Sequence, residues 1–397
     1  MVPERRRAFN DRFTESRYLA YRAAIERQCR TSIEFRLCET PCFLPERLVG
    51  DLVEASHALL GQLLDNRDYR RAADAAVPVE FRLPHGEPEP TFVQVDFGLI
   101  ETGAGLEPRL VELQAFPSLY GFQVAMAEAA IEIYNLAGVT PFLGGLARDE
   151  YLALMRRAMV GDHDPAEVVL LEIDPRRQKT LPDFVVTEQL WGVRAVDVRS
   201  VVRDGRRLWY DRDGRLTPIA RVYNRVIPDE LQHRHLALAF DFRDDLDLEW
   251  TGGPDWFFRI SKFSIPWLRH PSVPRTQYLS EVTGIPGDRE NWLLKPLFSF
   301  AGGGIIFAPT DAQLASIAPP DRGNYVLQER VPFTPTIATP YGPTQAEVRI
   351  MMVHDGERDG KPTYRAVLPL VRMGRGKMMG VDYNKGLQWV GAAAGLV

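Results

Sequence analysis

Lys295 and three consecutive glycines lie within the stretch LLKPLFSFAGGGIIF, residues 293–307. The pattern predicts a strand, a turn at Gly302, Gly303 and Gly304, and a second strand. A glycine turn lets backbone N–H groups approach anionic oxygens closely, and a nearby lysine supplies positive charge. The stretch therefore predicts a phosphate cradle, although a flexible hairpin tip would show the same glycines. It is not a Walker loop, because G-x-x-x-x-G-K-[ST] does not occur in the chain.

Residues suited to a nucleotide follow this turn. The strand YVLQERV ends with Gln328, Glu329 and Val331. Such a strand end suits a nucleotide hinge, whose backbone reads the adenine edge while a carboxylate binds the ribose hydroxyls. The next strand, QAEVRIMMV, places Glu347 and Arg349 on one face. The guanidinium of Arg349 can bind a phosphate as a two-pronged fork.

Acids occupy unusual positions in an earlier stretch, VQVDFGLIETGAGLEPRLVELQ, which reads as two strands joined by a glycine-rich turn. Asp96 and Glu112 stand where an apolar residue would be usual. Gln94 lies two residues before Asp96 and Gln114 lies two residues after Glu112, so each pair shares one face of its strand. Two acids and two amides on these strand faces need polar or charged groups to pair with. The stretch alone does not identify those groups.

The tripeptide DFG at Asp96 also occurs in protein kinases. In a kinase, the phosphate-binding lysine and an H-R-D loop precede that tripeptide. Here Lys295 follows Asp96, and no H-R-D occurs in the chain. The order of these residues therefore excludes a protein kinase.

The motifs after residue 255 come in a recognisable order. Lys295 with its following proline, the glycine turn, the Gln-Glu hinge and the Glu-x-Arg strand precede Arg372 and a final Asn384-x-Gly386. This order resembles the ATP-grasp superfamily, in which ATP lies between two α+β subdomains. The resemblance covers roughly residues 255–397.

The metal ligands of such a domain are absent from the tail of this chain and have counterparts in the early hairpin. An ATP-grasp domain normally ends with a metal-binding acid and a Glu-x-Asn strand, whereas this chain carries Asp96 and then Glu112-x-Gln114. It therefore resembles a circularly permuted ATP-grasp enzyme, similar to glutathionylspermidine synthase. The resemblance implies that Asp96, Glu112 and Gln114 bind magnesium. Gln94 stands where that family has an arginine, near the substrate carboxylate.

The resemblance also implies ATP and Mg²⁺ as cofactors. Arg349 and Lys295 would be the catalytic residues that steady the transferring phosphoryl group. A second lysine is usual in these sites, and Lys262 offers one, although it also fits a solvated lysine beside buried aromatics. The implied nucleotide-binding residues are Lys262, Lys295, Gly302, Gly303, Gly304, Gln328, Glu329, Val331, Arg372 and Asn384.

The implied reaction is an ATP- and magnesium-dependent carboxylate–amine ligation through an acyl-phosphate, acting on a small-molecule or peptide acid and an amine. Positioning and electrostatics carry such a reaction, and no protein nucleophile is needed. Two alternatives stay open: a small-molecule phosphotransferase of the same fold, and a degenerate ATP-binding protein without activity. The glutamines at 94 and 114 give the second alternative some weight, whereas the presence of Asp96, Glu112, Lys295 and Arg349 argues against it.

The elements that carry these residues change in type along the chain. Residues 1–85 read as mostly helical, with apolar residues at helical spacing in RLVGDLVEASHALLGQLLDN. Residues 86–160 add strands and helices that complete the permuted site, residues 161–250 form a βαβ-type substrate domain, and residues 251–397 bind the nucleotide. We therefore predict an α+β and α/β fold, a permuted ATP-grasp with a preceding βαβ-type domain and an N-terminal helical segment.

The βαβ-type domain contributes candidate substrate residues. A buried strand, VVLLE, ends at Glu172, a helix and a second strand follow, and a third strand ends at Asn224 and Arg225. Ligands usually bind at the carboxyl ends of parallel strands. We therefore expect these three residues, with Lys179 and Gln94, on the acceptor-substrate side, and solvated strand ends are the alternative.

Composition sets wider limits. The chain has 397 residues, of which 45% are hydrophobic and 25% charged, as in a globular protein of two or three domains. A net charge of -5 gives no basic field for nucleic acid. No apolar run reaches the length of a membrane span, so we expect no membrane partner. Three cysteines without metal-ligand spacing favour the cytoplasm, and nothing in the sequence indicates an oligomeric state.

Overall fold

The computed structural model describes residues 1–234, 236–284, 286–299, 302–384 and 386–397. The described residues form a mixed α+β fold with four β-sheets, which confirms the predicted class at that level. No helix among these residues is long and apolar enough to cross a membrane.

The longer helices lie in the first half of the chain, and the helices of the second half are short. Thr14 and Asn66 cap the second and fourth helices with their side chains. The helices are α1 Pro3–Arg12, α2 Glu15–Cys29, α3 Glu46–Leu64, α4 Arg67–Ala76, α5 Tyr120–Tyr134, α6 Arg148–Met159, α7 Leu181–Trp191, α8 Pro228–Arg234, α9 Trp256–Arg259 and α10 Asp311–Ala315.

Strands follow from the middle of the first half onward. Those before residue 250 are β1 Cys42–Phe43, β2 Phe92–Thr102, β3 Gly105–Gln114, β4 Val168–Glu172, β5 Arg194–Asp197, β6 Val202–Asp204, β7 Arg207–Arg212, β8 Arg215–Ile219 and β9 Arg221–Asn224. The later strands are β10 Glu249–Thr251, β11 Thr276–Tyr278, β12 Trp292–Pro296, β13 Ile306–Phe307, β14 Tyr325–Glu329, β15 Gln345–Arg358, β16 Lys361–Gly374 and β17 Gly391–Leu396.

The central sheet has six strands in the order β1-β17-β16-β15-β2-β3. β1 pairs with β17 in parallel, and the other neighbouring strands are antiparallel. β15 and β16 form a long hairpin that turns at Asp359 and Gly360, with φ of 53° and 71°. Positive φ at both positions is what a two-residue hairpin turn of this kind requires. The sheet places the early hairpin β2-β3 directly beside β15.

Helix α3 covers one face of this sheet and explains the polar residues on the other. The helix buries an apolar stripe of Leu48, Leu52, Leu59 and Leu63. On β2, the residues that join the same core are Val93, Val95, Phe97 and Leu99. Because side chains alternate along a strand, Gln94 and Asp96 point to the opposite face. The functional cavity lies on that side.

A second sheet is parallel, with its strands in the order β10-β9-β4-β5. α7 connects β4 to β5, which gives the βαβ unit that the alternation of strand and helix predicts. An antiparallel meander of β6, β7 and β8 follows β5. The domain boundaries drawn from the sequence stay a prediction.

A third, antiparallel sheet has the order β11-β14-β12-β13. Gln328 on β14 lies opposite Leu293 on β12, and Lys295 lies two residues further along β12. Residues two apart on a strand share a face, as do residues directly opposite each other. Leu293, Lys295 and Gln328 therefore face the same side, toward the central sheet.

Candidate active site

A cavity of about 530 Å³ lies where the central sheet meets the third sheet and the segment after β3. This volume lies within the usual range for small-molecule sites. It brings together residues from both ends of the chain. The sequence-predicted residues that line it are Glu112, Gln114, Lys179, Lys262, Lys295, Gly302, Gln328, Glu329, Val331, Arg349 and Arg372.

Strand register sets the arrangement of the charged residues. Arg349 on β15 lies opposite Asp96 on β2, and Asp96 lies opposite Glu112 on β3. Directly after this pair the register of β2 and β3 shifts, because Val111 is an extra residue on β3. Such bulges often lie next to active sites and redirect a backbone group. Here the carbonyl of Val111 accepts a hydrogen bond from Lys295 Nζ at 3.2 Å.

Asp96 forms a buried ion pair with Arg349. Arg349 Nε donates to Oδ1 at 2.5 Å, and its Nη2 donates to Oδ2 at 2.6 Å. Burial opposes ionisation of Asp96, but the charges of Arg349 and Arg372 outweigh it and hold its pKa below the ordinary value. Asp96 is 1% exposed. Arg349 thus binds both oxygens of Asp96, and magnesium ligation by Asp96 stays a prediction.

The two glutamines extend this network. Gln94 Oε1 accepts from Arg349 Nη1 at 2.7 Å and from Gln114 Nε2 at 2.8 Å. Gln94 Nε2 donates to the carbonyl of Ser118 at 2.9 Å. Gln94 is fully buried behind the cavity wall and does not line the cavity, and its predicted substrate contact stays a prediction. Gln114 lines the cavity, but its amide is bonded within the network, which argues against the predicted metal role.

Besides Glu329 at the rim, two carboxylates line the cavity, Glu112 and Glu347. Glu112 Oε2 lies 3.9 Å from Lys262 Nζ, and its side chain is 30% exposed. Burial raises the pKa of Glu347, and the opposing charge of Arg372, which donates to Glu347 Oε1, limits that rise. No three His, Cys, Asp or Glu side chains in the described part of the chain are grouped to hold a metal. Magnesium at a nucleotide usually takes one or two carboxylates plus phosphates and water, so Glu112 and Glu347 fit it better than the predicted trio.

Two lysines reach the cavity from different elements. Lys295 on β12 is 4% exposed. Burial lowers its pKa to about 8, while the negative charge of Glu112 opposes the shift. Lys262, also buried, donates from Nζ to the carbonyl of Ser299 at 2.8 Å. Both lysines therefore lie beside Glu112, as a phosphate-binding pair would, and the solvated alternative for Lys262 is wrong.

The glycine turn packs against a segment near the end of the chain. Gly302 and Gly304 have φ of 76° and 72°, a conformation that glycine adopts without strain. A Cβ on Gly302 would lie 2.6 Å from Met378 Cε, and one on Gly304 would lie 2.8 Å from Pro296 Cγ. Of the three glycines, all of them among the described residues, Gly302 is the one that lines the cavity. Gly303 and Gly304 shape the turn.

The strand end at β14 carries an unsatisfied amide. Gln328 is 1% exposed, and neither its Oε1 nor its Nε2 has a hydrogen-bond partner among the described residues. Leaving a buried amide unpaired costs about 1–3 kcal/mol, so a ligand that pairs with it removes part of that cost. Glu329 pairs at the rim with Arg275, Nε to Oε2 at 3.1 Å, and Val331 adds apolar wall. A planar polar group such as a nucleobase fits beside Gln328.

Asn384 differs from its predicted role in nucleotide binding. Its Oδ1 accepts from the backbone N–H of Arg375 at 3.2 Å and of Gly376 at 3.4 Å. Its Nδ2 donates to the carbonyls of Met378 and Gly380 at 3.0 and 3.2 Å. The amide is thus fully used in closing the loop after β16. Asn384 shapes this wall of the cavity and offers no free group to a nucleotide.

The strand-end trio also lies elsewhere than predicted. Glu172, Asn224 and Arg225 are buried at the carboxyl ends of β4 and β9, and none of these three described residues lines the cavity. Burial raises the pKa of Glu172 to about 8, with Arg225 opposing the shift. Arg225 donates to the carbonyl of Pro117 and lies 5.0 Å over the ring of Phe116. Arg225 therefore supports the segment after β3, whereas Glu172 and Asn224 bond to Ile173 and Val226 next to their own strands.

Sequence reasoning missed several cavity residues. Phe35, Ser118, Phe122, Gln123 and Thr180 line the same end of the cavity. Gln123 carried a usable signal, because it is a polar residue among the buried apolar side chains of α5. The others carried none, because nothing in their local pattern distinguishes a cavity wall from a core.

The cavity is strongly cationic. Glu112, Glu329 and Glu347 supply its acids. Its described lysines and arginines outnumber them seven to three and are Lys179, Lys262, Lys295, Arg330, Arg349, Arg372 and Lys377. Such an excess focuses a positive potential in the cavity and favours a polyanionic ligand.

Comparison with known proteins supports the fold. A glutathione synthetase-like effector from Globodera pallida, solved in its apo form, matches with a TM-score of 0.60. The match covers 90% of this chain and 93% of that one, at 14% sequence identity. No family model and no curated protein matches the chain. The likeness shows that this chain shares an α+β fold with that glutathione synthetase-like protein.

Proposed function

We propose that this protein is an ATP- and magnesium-dependent carboxylate–amine ligase with a circularly permuted ATP-grasp arrangement. The observation that carries the proposal is that one cationic cavity receives Glu112 from the early hairpin and Lys295 and Arg349 from the second half of the chain. An anion-binding cavity with a carboxylate beside two lysines suits phosphoryl transfer.

Several features support ATP as the nucleotide. The unpaired amide of Gln328 offers a donor and an acceptor to a base edge. Glu329 at the rim suits ribose hydroxyls, and the turn at Gly302 with Lys262 and Lys295 suits the phosphates. Most of these groups belong to the third sheet and its turn, with Lys262 beside them, and they support a nucleotide on that side of the cavity.

Glu112 and Glu347 are the residues that would hold magnesium. When bound, the ion would neutralise phosphate charge and polarise the phosphorus–oxygen bond that breaks. Arg349 cannot contribute all of its donors to phosphate, since two of them hold Asp96. Lys295 and Arg372 supply the remaining positive charge at the reacting end.

The chemistry proceeds in two displacements. A carboxylate oxygen of the acid substrate attacks the γ-phosphorus, the bond to the β-phosphate oxygen breaks, and ADP leaves. The amine then attacks the acyl carbon, inorganic phosphate leaves, and the amine proton passes to solvent. The protein positions the reactants and stabilises charge throughout.

A second candidate is an ATP-binding protein without ligase activity. The observation that favours it is the Asp96–Arg349 pair, which occupies an acid that the related enzymes use for metal. The two glutamines join the same closed network.

Calorimetry with ATP, followed by an ADP-release screen, separates these candidates. We expect ATP binding at about micromolar to millimolar dissociation constants, as is usual for enzyme substrates, and tighter binding with magnesium present. The screen combines amino acids, short peptides and polyamines in pairs. ADP release that needs both an acid and an amine supports the ligase, release with one alcohol or acid supports a phosphotransferase, and binding without release supports the inactive protein. Absence of ATP binding contradicts all three.

A further inference from the structure

The cavity end beside α5 differs in chemistry from the nucleotide side. Its walls include Phe35, Leu119 and Phe122. The rings of Phe35 and Phe122 meet edge to face with centroids 5.4 Å apart, an arrangement that favours aromatic ligands and neighbours. Lys295, Arg349 and Arg372 line the walls built by β12, β15 and β16, so the aromatic walls of this end suit an apolar body.

Gln123 places one polar group in this apolar end. It is 3% exposed and lines the cavity. Its backbone N–H bonds to the carbonyl of Leu119 at 3.1 Å, whereas its side-chain amide has no hydrogen-bond partner within the described ranges. A buried amide that faces a cavity without a partner is available to a ligand. It offers one carbonyl acceptor and an NH₂ donor.

The backbone beneath Gln123 is held firmly. Leu119 has φ of 67°, a left-handed conformation that is rare for a branched side chain and persists where the surroundings enforce it. Asp183 accepts hydrogen bonds from the N–H groups of Leu119, Gly121 and Phe122 at 3.1, 3.0 and 2.9 Å. Gln94 holds the carbonyl of the preceding residue. Strain maintained in this way is typical of preorganised ligand contacts.

We propose that this end of the cavity selects an acid substrate with an apolar body and one internal amide, an N-acyl amino acid with an apolar side chain. Gln123 pairs with the amide, its Oε1 accepting the N–H and its Nε2 donating to the C=O. Phe35 and Phe122 pack on the apolar side chain, and the free carboxylate points to the cationic side. The proposal rests on the proposed function and defines its acid.

Calorimetry with matched probes tests this selectivity without any turnover. N-acetyl-L-phenylalanine carries the carboxylate, ring and amide, whereas 3-phenylpropanoate carries the carboxylate and ring alone. N-acetyl-L-aspartate keeps the amide and replaces the ring by a charge. With ADP and magnesium present, we expect N-acetyl-L-phenylalanine to bind at least tenfold more tightly than either of the others. Equal affinities, a preference for the aspartate probe, or no binding of the phenylalanine probe would overturn the proposal.

Two variants test whether the side chain of Gln123 causes this selectivity. Gln123→Leu should remove the preference for the amide probe and leave the affinity for 3-phenylpropanoate within about threefold. Gln277→Leu, a substitution at an exposed glutamine on β11, is the matched control. It should change neither the preference for the amide probe nor the affinity for 3-phenylpropanoate. Retention of the tenfold preference in folded Gln123→Leu would overturn the role of Gln123. The affinity of the unsubstituted protein for ATP is measured in a separate titration. Absence of ATP binding there would contradict the ligase proposal, whereas the affinities for the three probes test the acid selectivity by themselves.

Discussion

The guanidinium of Arg349 holds both carboxylate oxygens of Asp96 across the pairing of β15 with β2. Strand register places the two residues directly opposite each other, and burial keeps water from the pair. Arg349 also donates to Gln94 at 2.7 Å, so the pair extends to the glutamines. This network joins the early hairpin to the late one and closes the cavity floor.

Breaking this pair should cost far more than breaking a surface pair. Arg349→Met leaves the buried carboxylate of Asp96 with Arg372, at 3.4 Å, as its remaining cation, so we expect a loss of about 3 kcal/mol of unfolding free energy, the lower end for a broken buried pair. The double variant Asp96→Asn/Arg349→Met should lose less than the two single variants together, because neither charge is then left alone. Urea denaturation measures all four proteins.

The exposed pair of Arg289 and Asp311 is the control. Removing it should cost less than about 1 kcal/mol. Additive losses from Asp96→Asn and Arg349→Met would show that the two residues do not depend on each other, contrary to the structure.

Nucleotide affinity should fall as pH rises through about 8. Burial sets the pKa of Lys295 near that value, and only its protonated form attracts phosphate. Bound phosphate raises the lysine pKa, so ATP binding takes up protons between about pH 8 and 10. Calorimetry in buffers of different ionisation enthalpy measures this uptake. Lys295→Met should bind ATP weakly with little dependence on pH in this range.

The same variant should be more stable without ligand. The pKa of Lys295 is lower in the folded protein than in the unfolded chain. The protonated lysine therefore lowers the free energy of unfolding at neutral pH, and this loss disappears as pH rises above 8. Lys295→Met should therefore raise the melting temperature at pH 7. A lower melting temperature, or an unchanged pH profile of binding, would contradict the assigned environment of Lys295.

Glu112 should govern the effect of magnesium. Glu112→Gln removes the partly exposed carboxylate at the cavity wall, so magnesium should no longer tighten ATP binding, while the fold stays intact. Glu107→Gln on the same strand β3 is the matched control, since Glu107 pairs with Arg109 away from the cavity. Titration of ATP with and without magnesium compares the two. An unchanged magnesium effect in Glu112→Gln would place the metal elsewhere.

The sequence predicted those parts of the molecule that local patterns determine. The helical spacing of α3 and the βαβ unit at β4 and β5 follow from the periodicity of the apolar residues and the alternation of strand and helix. The order of motifs also brought Lys295 and Glu112 into one hypothesis, and the structure places both at one cavity.

Local sequence patterns could not predict which charged residues form ion pairs with each other. Asp96 and Arg349 are far apart in sequence, and only the pairing of β2 with β15 brings them into register. The sequence therefore predicted both Asp96 and Glu112 as metal ligands, although Asp96 forms an ion pair with Arg349 in the structure. Asn384 likewise binds its own loop, a local use of an amide that a motif cannot distinguish from ligand binding.

Stability should decline between about pH 5 and 8 because of Glu172. Burial raises its pKa to about 8 in the folded protein, above that of the unfolded chain, so its contribution is fully present below pH 4.5 and is lost as pH rises toward 8. Glu172→Gln removes this ionisation and should flatten the profile, with a gain at pH 8 on the order of a few kcal/mol. Glu34→Gln at an exposed position is the control. Urea midpoints at pH 5.5 and 8 measure the difference, and a profile of Glu172→Gln that runs parallel to the unsubstituted protein would show that Glu172 ionises without cost in the folded state.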